Sequence, residues 1–404
     1  MSLSNAGLSG PDQPQRIVVG DAAFARVRYA LFASGFTIFA LLYYIQSLLP
    51  VFSQEFGVSP AQSSLALSAT TGVMAFALLV SGAVSDALGR KGIMVLSLLS
   101  SSVLTIAMAF SPNWMTVLGI RFLMGITLCG VQSVTMAYLA EELEPKAFAA
   151  SVGLFIAGSA LGGLGGRMAS SILSDHLGWR MSVAIIGAIG LGFAVYFRAM
   201  LPASRNFVPR TKGWGNLAEE AKIILTNPRL LRLFLVGFAI MSGFVTTYNF
   251  ITYRLVAPPF NLSQTQVGLI FVVYVFGSAG AIAAGRLSGR FGREPMLWKF
   301  QIIMIAGIVL TTSASLWIIV AGLATLTFGM FASHSVASGW VGVEAHRGKA
   351  LAASLYLFAY YQGGSLIGTL GGVFFLRGGW LWVVALTGFI GLIGLVIGLT
   401  LKRK

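Results

Sequence analysis

The sequence predicts an all-α membrane protein with twelve transmembrane helices arranged as two related six-helix bundles. Three observations support this. Hydrophobic residues fill 56% of the 404 positions and charged residues only 10%, against about a quarter charged in a soluble domain. The apolar residues fall into twelve runs, each near the roughly 20 residues a helix needs to cross a hydrocarbon core about 30 Å thick. The second half of the chain also repeats landmarks of the first at a nearly constant offset.

The runs lie at about 29–51, 64–84, 92–110, 114–140, 147–170, 180–200, 229–252, 267–285, 295–313, 316–341, 349–375 and 380–400. Hydrocarbon offers the backbone no hydrogen bonds, so spanning segments are helices or strands of a closed barrel. These runs are continuous and lack the period-two alternation of barrel strands, which selects helices. Residues 1–28 are polar, carry Arg16, Arg26 and Arg28, and lack the apolar core and cleavage site of a signal peptide. They read as a mobile cytoplasmic tail, with 401–404 as a second tail. Cys129, the only cysteine, falls inside the fourth span, which excludes an intrachain disulfide or a cysteine metal site.

The net charge of +15 records topology. With the N-terminus in the cytoplasm, all Lys and Arg residues except Arg121, Arg167, Arg180, Arg254 and Arg377 fall on cytoplasmic tails, loops or helix ends. That asymmetry is the positive-inside pattern of a multi-pass inner-membrane protein with both termini cytoplasmic. It leaves no need to invoke nucleic acid. Arg167, Arg180, Arg254 and Arg377 read as outer-end residues, and Arg121 lies within span four.

The repeat is specific. Gly82-Ala-Val-Ser-Asp86-Ala-Leu-Gly89-Arg90-Lys91 follows span two, and Gly285-Arg-Leu-Ser-Gly289-Arg-Phe-Gly292-Arg293-Glu294 follows span eight, 203 residues later. The same offset takes Glu141 to Glu344, Gln46 to Asn249, and Ala149-Ala150-Ser151 to Ala352-Ala353-Ser354. After a three-residue insertion, the glycine row from Gly158 to Gly166 matches that from Gly364 to Gly372. The chain therefore divides into bundles at 29–200 and 229–400. The polar linker 201–228 between them has a candidate surface helix at 217–225. Two parallel repeats of this kind describe transporter architecture.

These motifs resemble the major facilitator superfamily, and the resemblance covers nearly all of the chain after residue 28. It implies a cytoplasmic gate built from Gly82, Asp86, Gly89, Arg90 and Lys91, in which Asp86 touches the other half and Arg90 pairs with an acid below span four. Glu141 and Glu142 are the available acids. Gly285, Gly292, Arg293 and Glu344 form the mirrored set, with Gly289 in place of Asp86. Gly89 suits a tight turn and Gly82 a close helix contact. Exposed ion pairs worth about 0–1 kcal/mol would separate as the halves rock.

Leu118, Arg121, Gly125 and Gly130 resemble the superfamily's second motif, whose arginine is implicated in proton transfer. A charge at that depth costs several kcal/mol unless it is paired or faces water; the alternative is an arginine snorkelling to outer headgroups. The row Gly158-Ser159-x-x-Gly162-Gly163 is similar to a glycine motif of drug–proton antiporters without its proline, and helix packing alone also accounts for it. Ser354 to Gln362, together with His334-Ser-Val-Ala-Ser-Gly-Trp, resemble the YnfM-type bacterial transporters of this superfamily. That implies an exporter.

The architecture implies a cavity near the bilayer midplane, lined largely by spans one, four, seven and ten. The candidate substrate-binding residues are Tyr43, Tyr44, Gln46, Gln132, Tyr248, Asn249, His334, Tyr360, Tyr361 and Gln362, since an apolar pocket with a few placed polar groups suits a small, partly apolar solute. Interfacial anchoring, packing or interhelical hydrogen bonds are the alternative for each. The acidic residues all lie in tails, loops or helix ends. The candidate proton-coupling residues are therefore Arg121 and His334, the latter with an unperturbed pKa of about 6.5.

The expected function is secondary active export of a small solute by alternating access with proton antiport. Energy-independent facilitation of a sugar or other neutral solute stays open. A membrane enzyme has no support, because there is no cluster of His and acids, no phosphate-cradling loop and no Ser–His–acid set. The expected partners are a small-molecule substrate, protons and the lipid bilayer. A monomer is expected, without cofactor, metal or nucleic acid.

Overall fold

The computed structural model describes residues 16–207 and 214–401, apart from the side chains of 82–84, 86–88 and 214–217. The first bundle comprises α1 (Ala22–Phe56), α2 (Pro60–Leu88), α3 (Arg90–Met108) and α4 (Trp114–Glu142), then a helix Pro145–Met200 that turns sharply at Gly178. The turn divides that helix into α5 (145–177) and α6 (179–200). A connecting helix, Trp214–Thr226, covers the expected 217–225. The second bundle comprises α7 (Pro228–Val256), α8 (Gln264–Phe291), α9 (Arg293–Leu310) and α10 (Leu316–Glu344). Lys349–Leu399 turns at Gly378 and Gly379 into α11 (349–377) and α12 (380–399).

Nine helices among the described residues are long and apolar enough to cross a membrane. Counting each sharply turned helix twice and adding α9, whose Arg293, Glu294 and Lys299 dilute an otherwise apolar sequence, gives the twelve expected spans.

Local chemistry marks the starts, and it repeats between the halves. Ser59 with Gln62 forms a capping box before α2, and Ser263 with Gln266 forms the same box before α8. Each satisfies two orphan donors of a helix N-terminus reciprocally. Proline occupies the first turn of α2, α5 and α7, where its missing N–H costs nothing. Gly89 and Gly292 join α2 to α3 and α8 to α9 with φ of 91° and 88°, a region closed to most L side chains. The repeat thus extends to backbone conformation.

α1 is not uniform. Pro50 has no N–H to donate back along the helix, and just before it Tyr44–Leu48 tighten into a 3₁₀ turn. This places an irregular backbone within the bundle. α5 packs against α1 so closely that a methyl on Gly158, Gly162 or Gly166 would overlap the backbone of Phe32, Phe36 or Ala40. The glycine row of span five is a packing surface.

The first span starts at Ala22, earlier than its expected start near 29. Before it, Ile17 exchanges backbone hydrogen bonds with Glu142 and Glu144. A mobile tail does not extend to residue 28; residues 1–15 lie outside the described residues. Arg26 donates to the Ala199 carbonyl at 3.1 Å and Arg232 to that of Thr400 at 3.2 Å. The ends of α4, α6 and α12 therefore share one face with the starts of α1 and α7. We call it the basic face.

Candidate functional site: a cavity between the two halves

At the face opposite the basic one, the halves are joined. Tyr253 Oη lies 2.6 Å from Ser53 Oγ and donates to the Leu49 carbonyl at 2.7 Å. The Thr265 amide donates to Asp175 at 3.1 Å. Deeper, Gln46 Nε2 donates to Asn249 Oδ1 at 2.7 Å, Ser365 Oγ to the Ser68 carbonyl at 2.7 Å, and Gln132 Nε2 to Tyr361 Oη at 2.6 Å. Gln362 Nε2 also donates to the Gly72 carbonyl at 3.4 Å. Among the described residues, the hydrogen bonds between the two bundles come no nearer the basic face than these.

A cavity of about 350 Å³ occupies the space below them. Tyr43, Gln132, Phe155, Ser159 and Arg167 line it from the first half. Phe244, Tyr274, Phe331, His334, Tyr360 and Tyr361 line it from the second. It shares Ala281 and Ser335 with a vestibule of about 980 Å³ at the basic-face ends of α8 and α10, whose wall carries Arg290, Arg293 and Glu294. The site is closed toward one face and open toward the other.

Half of the ten expected binding residues reach this cavity: Tyr43, Gln132, His334, Tyr360 and Tyr361. The others point elsewhere, because a helix presents only one residue in three or four to a given side. Gln46 and Asn249 sit behind the wall and bond each other, so the residues paired by the repeat meet across its axis. Tyr44 donates to Met108 Sδ, Tyr248 Oη lies 2.7 Å from Thr327 Oγ1, and Gln362 donates to the Gly72 carbonyl at 3.4 Å. His334 Nδ1 lies 3.0 Å from Tyr356 Oη, and its ring centroid lies 4.5 Å from that of Tyr360.

The main correction is Arg167. Read as an outer-end residue, it is 1% exposed and lines the cavity. Its Nε donates to Gln46 Oε1 at 2.8 Å and its Nη1 to the Gly163 carbonyl at 2.6 Å. The rings of Tyr43 and Tyr274 flank the guanidinium at 4.3 and 4.4 Å, with Phe271 at 5.6 Å. The sequence reading ended span five at 170, whereas α5 runs on to 177. Seven more residues at 1.5 Å each set Arg167 about 10 Å deeper. Tyr274, Phe244 and Phe331 were missed too. Attention to spans one, four, seven and ten left out Arg167 on α5 and Tyr274 on α8, and attention to polar side chains left out Phe244 and Phe331. The signal available was the one Arg near the end of the span-five glycine row.

Arg121 is fully buried but does not line the cavity. It donates to the carbonyls of Ala66 at 2.7 Å, Leu41 at 3.2 Å and Leu42 at 3.0 Å. Snorkelling to headgroups is thereby excluded.

The family-model comparison matches the Major Facilitator Superfamily over residues 31–257 and 233–404. The chain belongs to the major facilitator superfamily. It is 42% identical over 393 residues to the inner membrane transport protein YnfM of Escherichia coli (strain K12), covering 97% of this chain and 94% of that one. It is 41% identical over 385 residues to the transporter YybF of Bacillus subtilis (strain 168), covering 95% of each. Among solved structures, a bacterial homologue of the lysosomal transporter Spinster, in an inward-facing and occupied conformation, superposes with a TM-score of 0.78 at 16% identity. That match covers 95% of this chain and 97% of that one. The chain is a multi-pass membrane transporter of the superfamily and not an enzyme.

In this superfamily member Arg90 meets one of the two acids expected below span four. Arg90 forks onto Glu141, with Nε to Oε2 at 3.1 Å and Nη2 to Oε1 at 2.7 Å, and its Nη1 donates to Ser85. Both partners belong to the first half, so the pair need not separate when the halves part. The Arg90 side chain is 6% exposed, which removes it from the class of weak surface pairs. Glu142 instead accepts from Asn206 at 2.9 and 3.2 Å, and Lys91 donates to the Leu201 carbonyl. In the mirrored set, Glu344 faces Arg229 at 3.7 Å rather than Arg293, which is exposed in the vestibule. Gly285 has open space where a Cβ would stand, so no helix contact demands a glycine there. Gly82 and the Asp86 side chain lie outside the described residues.

One consequence is measurable. Glu141→Ala removes the carboxylate that accepts two charge-assisted hydrogen bonds from Arg90, a loss of about 1.5–3 kcal/mol. Thermal unfolding of the detergent-solubilised protein should therefore occur several degrees lower. An unchanged midpoint would show that the fork contributes nothing to the fold.

Proposed function

We propose that this protein exports a small, partly apolar solute across the bacterial inner membrane by alternating access, with protons moving in the opposite direction. The observation that carries the proposal is the cavity between the halves, open to the basic face alone. We place that face in the cytoplasm, following the distribution of Lys and Arg. The cavity then opens to the inside, the state in which an exporter takes up its solute. The units 29–200 and 229–400 act as the rocking bodies, with 201–228 as the linker.

The names of the relatives support transport at the inner membrane and stop short of direction or coupling. His334 is the side chain we assign to the proton. It lines the cavity, its imidazole can take up and release a proton, and Tyr356 Oη lies 3.0 Å from one ring nitrogen. A second reading, facilitated diffusion, draws on one observation: no carboxylate lines this cavity among the described residues.

Everted vesicles carrying a pH-sensitive fluorophore, energised and challenged with a panel of solutes, separate the two. Proton release on adding one solute, lost in His334→Ala, is the expected result. Solute exchange that persists after collapse of the proton gradient, with no proton release, would replace antiport by facilitation.

A further inference from the structure

Arg167 brings a positive charge to the interior of the protein without a carboxylate partner among the described residues. A cation at membrane depth costs several kcal/mol unless something compensates it. Here the compensation is partial. Gln46 Oε1 and the Gly163 carbonyl each accept one hydrogen bond, and the faces of Tyr43 and Tyr274 supply cation–π contact worth about 2 kcal/mol when desolvated. The described hydrogen bonds engage Nε and Nη1, and none engages Nη2. Two further polar groups in the same wall lack partners although buried: the Tyr274 hydroxyl and Gln132 Oε1. The rest of the wall is aromatic or aliphatic, with Phe155, Phe244, Phe331, Leu357 and Tyr360 among its residues.

We propose that the transported solute is an aromatic or similarly apolar organic anion whose carboxylate pairs with Arg167 and whose body lies among the aromatic side chains. This rests on the transport reading above and names its substrate class. A guanidinium offers a planar fork to a carboxylate, and a charge-assisted pair of this kind is about twice as strong as a neutral hydrogen bond. The flanking tyrosines hold the guanidinium flat without neutralising it. Gln46 links it to Asn249 of the other half, so an anion that draws on Arg167 acts next to a hydrogen bond that joins the two halves. Neutral or cationic amphiphiles would leave the charge uncompensated, and cations would be repelled by it.

The test uses the full-length protein in nanodiscs and in proteoliposomes. The probes are benzoate, 4-hydroxybenzoate and 2-naphthoate, each against its neutral amide. Binding is read as ligand-induced thermal stabilisation, and transport as counterflow of the radiolabelled acid. The expected result is stabilisation by at least one acid, at least tenfold weaker for its amide. Arg167→Gln should abolish it and Arg167→Lys should retain part of it. The acid–amide comparison is made on the unaltered protein, so it stands even if a variant fails to fold. Equal binding of acids and amides, or binding of neutral or cationic amphiphiles alone, overturns the anion assignment and leaves transport intact. Carboxylate-selective binding without counterflow supports the anion site and instead sinks the transport reading on which it was built.

Discussion

Arg121→Ala is expected to abolish folded protein, with activity lost as a consequence. The reason begins in the sequence of α1. Pro50 lacks an N–H, and Tyr44–Leu48 tighten from the α-helical to the 3₁₀ spacing. Where a helix changes spacing, carbonyls lose their regular partners. Two carbonyls at that junction, Leu41 and Leu42, receive Arg121, and Ala66 on α2 receives its Nε. Arg121 itself donates nothing to water, being fully buried. Each hydrogen bond to a charged group contributes about 1.5–3 kcal/mol, so removing three exceeds 4 kcal/mol, a large share of the 5–15 kcal/mol that holds a typical domain together. Arg121→Lys keeps the charge but not the fork, and should retain partial stability. Size-exclusion profiles and unfolding midpoints of the two variants check this. A monodisperse Arg121→Ala protein melting within about 2 °C of the parent would refute the structural role and return Arg121 to proton transfer.

Gly268→Trp is expected to stop transport while leaving each bundle folded. Gly268 sits on α8 in the joined face, where a Cβ would already stand 2.5 Å from Ser171 Cβ on α5. An indole cannot fit there while the halves remain closed at this face. Overpacking costs about 1–3 kcal/mol, and every 1.4 kcal/mol is a factor of about ten in population. The balance between states should therefore move roughly ten- to a hundredfold away from the conformation described above. Ser68→Cys reports it in a Cys129→Ala background. Ser68 is 4% exposed, and its carbonyl accepts from Ser365 across the seam. An impermeant thiol reagent applied from the joined face should label it at least tenfold faster in the tryptophan variant. Unchanged labelling together with normal transport would mean that the two halves do not part at this face.

The two arginines show how far the sequence could be read and where it stopped. Arg121 was legible as an anomaly, because a charge inside an apolar run needs a partner. Its partners were not legible: they are two backbone carbonyls beside the 3₁₀ turn of α1 and one on α2. Arg167 was read as an outer-end residue because the end of its span was drawn seven residues early. Composition alone cannot locate a helix end when serines and glycines continue the helix to Gly178. For Arg90, the motif pointed to an acid below span four. Only the folded chain showed the choice of Glu141 over Glu142 and the burial that makes it a lasting pair.

The sequence by itself determined the solvent, the number of spans and the twofold plan. These depend on totals and periods: apolar length against bilayer thickness, and landmarks recurring at one offset. It also determined the turn at Gly89 and its copy at Gly292, where the motif requires a left-handed residue. The tertiary structure alone decided which side chains share the cavity, that the joined face is the one opposite the basic loops, and that the Arg167 guanidinium lies within, without a carboxylate partner among the described residues. Those outcomes depend on helix rotation and depth, where a shift of one residue turns a side chain by about 100°, too fine a difference for hydropathy to resolve.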